Sequence, residues 1–195
     1  RRVLFIFIEA EKKLRESEQF TREIIDNAKE GIVVYDRDFN YLVWNLFMES
    51  ITGVSASEAL GKNAFELFPH LRKEKVDVLL QQARDGKTVR SPDTPYLVPY
   101  TKKSGWVSGT YSPHVNAQGE IIGIIGNIHE ITARKNAQNA LTGAKSFLDQ
   151  ILNTIPDPVF VKDNMHRRIL VNDAYCRFLR LRREELIKKT DHDLY

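Results

Sequence analysis

Laid over itself at an offset of 127 residues, the 195-residue chain repeats: residues 20–68 fall on 147–195 without a gap. Identical pairs include Phe20/Phe147, Ile24/Ile151, Asp36/Asp163, Asn45/Asn172, Glu58/Glu185, Lys62/Lys189 and Leu67/Leu194. Ile32/Val159, Val34/Val161, Leu42/Ile169 and Val43/Leu170 keep their apolar character. Such self-similarity marks a repeated structural unit. The chain therefore holds one full unit and the first half of another.

The repeat extends upstream into helices. Ala10, Leu14, Ser17, Thr21, Ile24 and Ala28 are spaced alternately by four and three, and so are Ala137, Leu141, Ala144, Leu148, Ile151 and Ile155. That alternation is the seam of a helix packed on a partner helix. The first seam contains polar Ser17 and Thr21. The second is apolar throughout, with Gly143 beside it. Each seam packs either on its own domain or across a dimer, and we expect the dimer.

Gly31 breaks the first helical pattern. Residues 32–35 and 41–44 read as strands, joined through the turn-forming Asp36-Arg37-Asp38 and Asn40 into a hairpin. Asn45 is a suitable N-cap for a helix carrying Phe47, Met48 and Ile51 and ending at Gly53. Ser55 or Ser57 caps a further turn with Glu58 near its start, residues 64–68 form another, and 73–84 form a helix ended by Asp85-Gly86. Three strands follow: 88–98, interrupted by Pro92 and Pro95; 106–112, ended by Pro113; and 121–128. Helices grouped between strand groups argue for α+β with an antiparallel sheet.

Lys plus Arg total 29 and Asp plus Glu 26, a net charge of +3 with no basic stripe, which gives no sign of a nucleic-acid partner. The longest apolar run, Val3–Ile8, is far short of the roughly 20 residues of a membrane span. Neither membrane contact nor a signal peptide is expected. Cys176 is the single cysteine, so the chain has neither an internal disulfide nor a cysteine-based zinc site, and a cytoplasmic location fits.

The stretches EGIVVYDRDFNYLVWN (30–45), ITG (51–53) with SEALGKNAFELF (57–68), and GWVSGTYSPHVNAQGEIIGIIGNIHEIT (105–132) resemble the PAS domain with its C-terminal PAC motif. The second copy resembles it through IPDPVFVKDNMHRRILVNDAYCRFL (155–179). The resemblance implies an α+β PAS fold: a five-stranded antiparallel sheet of order 2-1-5-4-3 with small helices on one face, flanked by signalling-linker helices. The expected organisation is a linker helix over 1–19, a complete PAS/PAC domain over 20–132, a linker helix over 133–155 and a truncated second PAS domain over 156–195. A pocket between sheet and helices is implied, with Trp44, Phe47, Ile51, Phe65, Phe68, Val76, Leu79, Leu80, Trp106 and Tyr111 as candidate lining. Val76, Leu79 and Leu80 are expected to face the sheet, with Trp106 opposite. Glu130-Ile131-Thr132 stands where the family has Asp-Ile-Thr, so Glu130 and Thr132 are the candidate signal relay, Thr132 capping the next helix. The Gly53 position is Arg180 in the second copy, which weakens the case for a tight turn there.

For haem the family uses a His on the helix before the third strand. Residues 73–84 have none, and His70 lies just upstream. Asn63-Ala64-Phe65 lacks the Cys that light-sensing relatives use to attack flavin, which leaves only non-covalent flavin, another small ligand or no cofactor. His129-Glu130 lacks the Pro of a kinase phosphoacceptor box, Gly123 and Gly126 read as close-packing glycines, and Asp191-His192-Asp193 is a weak metal candidate. No catalytic constellation emerges. The expected function is a sensory and signal-relay segment of a larger protein, a histidine kinase of a two-component system, dimeric through its linkers and acting on an output domain. The alternatives are a ligand-free dimerisation scaffold whose aromatics fill the pocket, or the sensor region of a diguanylate cyclase or transcription activator.

Overall fold

The structure, a computed structural model, describes residues 2–98 and 102–194, with backbone alone for residues 2–8, so the side chains of the Val3–Ile8 run lie outside the described residues. It divides into two compact units, Arg1–Thr132 and Ala133–Tyr195.

The first unit opens with helix α1 (Arg2–Asp26). Strands β1 (Gly31–Asp36) and β2 (Tyr41–Trp44) form the hairpin. Asp36 shapes its turn by accepting the N–H groups of Asp38 and Asn40, both at 2.8 Å. Short helices follow: α2 (Leu46–Thr52), α3 (Ala56–Ala59), α4 (Ala64–Leu67), α5 (His70–Lys73) and α6 (Val76–Arg84). The single helix expected over 73–84 is broken because Lys75 is left-handed, at φ 60°. Ser55 and Glu58 form the capping box of α3.

Strands β3 (Val89–Arg90), β4 (Thr94–Leu97), β5 (Ser104–Val115) and β6 (Ile121–Glu130) complete the sheet. Its order is β2-β1-β6-β5-β3, with β4 also on β5 and every pair antiparallel. The expected order holds once β3 and β4 are counted as one strand split around Pro92. Pro95 is tolerated within β4 because that strand is paired only with β5 and the missing N–H falls on the free edge. Strand β5 runs through Pro113, where β3 no longer pairs.

The core lies between sheet and helices, around Val33, Tyr41, Trp44, Leu80, Tyr111 and Ile124. Asn45 fastens α1 to it. Fully buried, it accepts the N–H groups of Ile32 (3.1 Å) and Met48 (3.2 Å) and donates to the carbonyls of Ile25 and Glu30, both at 2.9 Å.

Helix α7 (Thr132–Thr154) carries the second seam. Ala137, Leu141, Ala144, Leu148 and Ile151 are all exposed, and the helix has no buried residue among those described. Ile155 lies one residue past its end, beyond the seam it was expected to close. The second unit then repeats the first. Strand β8 (Arg168–Val171), helix α8 (Asp173–Leu179) and helix α9 (Arg183–Leu186) stand 127 residues after β2, α2 and α3. Strand β7 (Phe160–Lys162) pairs with β8 and carries its irregularity at Val161/Lys162, as β1 does at Val34/Tyr35. Asn172 repeats the Asn45 bonds, accepting from Val159 and Tyr175 and donating to the carbonyls of Leu152 and Asp157. Arg180 keeps the left-handed turn of Gly53, at φ 55° against 75°, so the substitution strains the turn without removing it.

Candidate functional site

A cavity of about 700 Å³ lies between the sheet and the helices of the first unit. Of the ten residues expected to line it, Trp44, Ile51, Phe68, Val76 and Tyr111 do so, and the other five do not. Trp106 fails on parity. Val107, Gly109 and Tyr111 alternate onto the cavity face of β5, so Trp106 faces the other side of the sheet. On α2, Met48, Ile51 and Thr52 share the inner face, and Phe47 is turned roughly 100° away from Met48. On α6, Val76 reaches the cavity. Leu80, one turn further along, is buried in the core beyond it, and Leu79 packs half-buried at the side. Phe65 sits edge-on to Phe39, with the Arg72 guanidinium 5.2 Å from its ring centroid.

The chief lining residues missed from sequence are tyrosines. Tyr35 and Tyr41 face each other across the hairpin, ring centroids 4.9 Å apart, and Tyr111 approaches from β5. Alternation along β1, with Val33 and Tyr35 buried, was the available signal. Gly126 makes room for this cluster: a Cβ there would lie 2.6 Å from Val33 and 3.1 Å from the Tyr111 ring. Burial pushes all three hydroxyls well above the usual tyrosine range, and the Glu74 carboxylate adds to the effect on Tyr111. The cavity therefore offers neutral hydroxyls on an aromatic wall formed by Trp44 and Phe68, stacked at 5.8 Å. His70 stands exposed on its lining, edge-on to Phe68.

Tyr96 of β4 connects the cavity to the end of the sheet. It lines the cavity, and its hydroxyl donates to Glu130 Oε1 at 2.7 Å. The same oxygen accepts the Thr132 hydroxyl at 3.2 Å. Burial, followed by this bond to Glu130, raises the Tyr96 hydroxyl to about 12. Thr132 is the first residue of α7, not its cap. Its Oγ1 accepts the Trp106 N–H at 2.9 Å, locking the helix start to β5. Gly105 allows the approach, because a Cβ there would lie 2.3 Å from Thr132 Oγ1. His129, on β6, bonds Glu30 at 2.6 Å. Among the described residues no helix is long and apolar enough to cross a membrane.

An uncharacterized protein y4lL of Sinorhizobium fredii is 41% identical over 61 residues, and this chain spans 7% of that protein's length. An RNA-binding light-oxygen-voltage receptor is similar with TM-score 0.51 and 23% identity, over 66% of this chain and 37% of that one. The sensory box sensor histidine kinase structure from Vibrio cholerae aligns at TM-score 0.44 and 17% identity, over 63% of this chain and 98% of that one. Residues 19–131 and 146–195 match the family described as PAS fold, once for each unit, and the chain belongs to the PAS family.

Proposed function

We propose that the chain is the sensory and signal-relay segment of a signal-transduction protein whose output is a histidine kinase. The first cavity takes a small, uncharged, largely apolar molecule with acceptors for the tyrosine hydroxyls. The observation that carries this reading is the chain of bonds from Tyr96 through Glu130 to Thr132. A ligand that moves Tyr96 changes how α7 is anchored, and a few kcal/mol between two states suffices for a switch. A 700 Å³ space favours a ligand-binding module over a scaffold whose aromatics fill the pocket. The kinase output rests on the family resemblance, whose modules commonly sit in series upstream of a histidine kinase, a diguanylate cyclase or a transcription activator.

Tyr96→Phe keeps the ring and removes the bond to Glu130. Amide exchange at residues 135–138, the first N–H groups bonded within α7, is expected to speed up about tenfold while β1 and β6 keep their protection. Unchanged exchange at the start of α7 would defeat the relay.

The exposed seam of α7 is the proposed homodimer contact. Leu141→Asp with Leu148→Asp is expected to abolish self-association in analytical ultracentrifugation, with the first unit still folded. A double variant that associates normally would show that the seam is not the contact.

A further inference from the structure

Most polar side chains on the wall of the first cavity are already engaged. The Thr52 hydroxyl donates to the Met48 carbonyl at 2.7 Å, the Thr94 hydroxyl donates to the Pro92 carbonyl at 3.2 Å, and Ser91 Oγ accepts the Gly109 N–H at 2.8 Å. Tyr96 is held by Glu130, and the Tyr35 and Tyr41 hydroxyls interact with each other. Two groups remain. Tyr111 is 5% exposed, and its hydroxyl lies over Gly109, where a Cβ would stand 2.9 Å from it. Glu74 lines the same cavity, half-buried at the end of α5. Burial, and then the nearby Glu74 carboxylate, keep the Tyr111 hydroxyl protonated. Among the described residues neither side chain has a hydrogen-bond or ion-pair partner. Arg72, beside Glu74 in sequence, lies over the Phe65 ring instead.

An unpaired buried hydroxyl and an unpaired carboxylate are each costly until something completes them. The neutral hydroxyl donates and the carboxylate accepts, so their complement is an acceptor next to a donor. A carbonyl with an adjacent N–H, the edge of an amide, supplies both. An ammonium group supplies donors only and leaves the Tyr111 proton unmatched. A carboxylate supplies acceptors only and meets Glu74 as a like charge. A water that bridges the two groups in the empty cavity is displaced at little cost only by a ligand that reproduces both bonds. The remaining wall, with Trp44 and Phe68 stacked on one another, suits an apolar or aromatic ring.

We infer that the molecule taken by this cavity carries an amide edge on an apolar or aromatic ring, its carbonyl accepting from Tyr111 and its N–H donating to Glu74. Glu74 is then the residue that sets specificity. The inference rests on the proposed reading of the cavity as a ligand site and adds the chemical class of the ligand.

Trp44 Nε1–H donates to the Val54 carbonyl at 3.0 Å, and both residues line the cavity, so its resonance reports occupancy. Trp106, on the other side of the sheet, is the internal control. The 195-residue chain is titrated with benzamide, with acetophenone, in which a methyl group replaces the NH2, and with the cation benzylamine. Benzamide at millimolar concentration is expected to shift the Trp44 resonance saturably and to leave that of Trp106 in place. Acetophenone is expected to bind about tenfold more weakly, having lost a bond to a charged acceptor, and benzylamine more weakly than benzamide. Glu74→Met, at a partly exposed position, is expected to lower benzamide to the affinity of acetophenone and to leave acetophenone unchanged. Tyr111→Phe is expected to weaken both neutral probes alike. No saturable shift with either neutral probe would overturn the inference together with the reading of the cavity. Equal binding of benzamide and acetophenone, benzylamine binding as tightly as benzamide, or a benzamide preference that survives Glu74→Met would overturn the amide edge and leave the cavity a ligand site.

Discussion

Asn45→Ala is expected to lower the stability of the first unit by about 3–4 kcal/mol, the largest single-residue effect foreseen outside the apolar core. Its amide holds four backbone groups in a fully buried position: the N–H groups of Ile32 and Met48 and the carbonyls of Ile25 and Glu30. Loss of an N-cap alone costs about 1 kcal/mol. Unpaired buried groups cost about 1–3 kcal/mol each and do not add fully, which sets the upper range. The readout is urea unfolding followed by tryptophan fluorescence, since Trp44 and Trp106 both lie in the first unit. Asn45→Asp separates the parts. It keeps the acceptor for Met48 and turns an anion toward two carbonyls, so it is expected to remain well below wild type. A loss of about 1 kcal/mol in Asn45→Ala would reduce Asn45 to a cap.

Asn45 also shows where reading from sequence stops. Its capping of Met48 is local, three residues away, and legible in the residue type. Its bonds to Ile25 and Glu30 span 20 and 15 residues and follow only from how the helix end meets the sheet. The same divide runs through the cavity. The strands, the hairpin and the 127-residue correspondence were visible because periodicity and turn chemistry act over a few residues. Trp106 was misplaced because its size suggested a cavity role, while alternation with Tyr111 five residues later puts the two on opposite faces. The Tyr96–Glu130 bond joins residues 34 apart, and no local pattern marks it. Lys75 hid its break because nothing in a lysine advertises a positive φ.

Alkaline pH is expected to destabilise the first unit steeply from about pH 10 upward. Tyr35, Tyr41 and Tyr111 are raised well above the unfolded tyrosine value, chiefly by burial, with neighbouring tyrosines and Glu74 adding to the effect. Between the unfolded and folded values the native state keeps protons that the unfolded chain has released. Stability is therefore fully present below about pH 10 and falls as pH rises. At about pH 11 each unfolded hydroxyl has gained roughly 1.4 kcal/mol by ionising, so the three together remove about 4 kcal/mol. Urea midpoints measured from about pH 8 to 11 should record this fall. Tyr96, raised by burial and its bond to Glu130, adds to the same slope, so Tyr111→Phe removes one of four raised hydroxyls and should flatten the slope above about pH 10 by roughly a quarter, whatever it does to stability at neutral pH. A slope that does not change in Tyr111→Phe would mean that the hydroxyl ionises freely in the folded protein. The cavity wall would then be open to water, and the neutral aromatic site proposed for it could not stand.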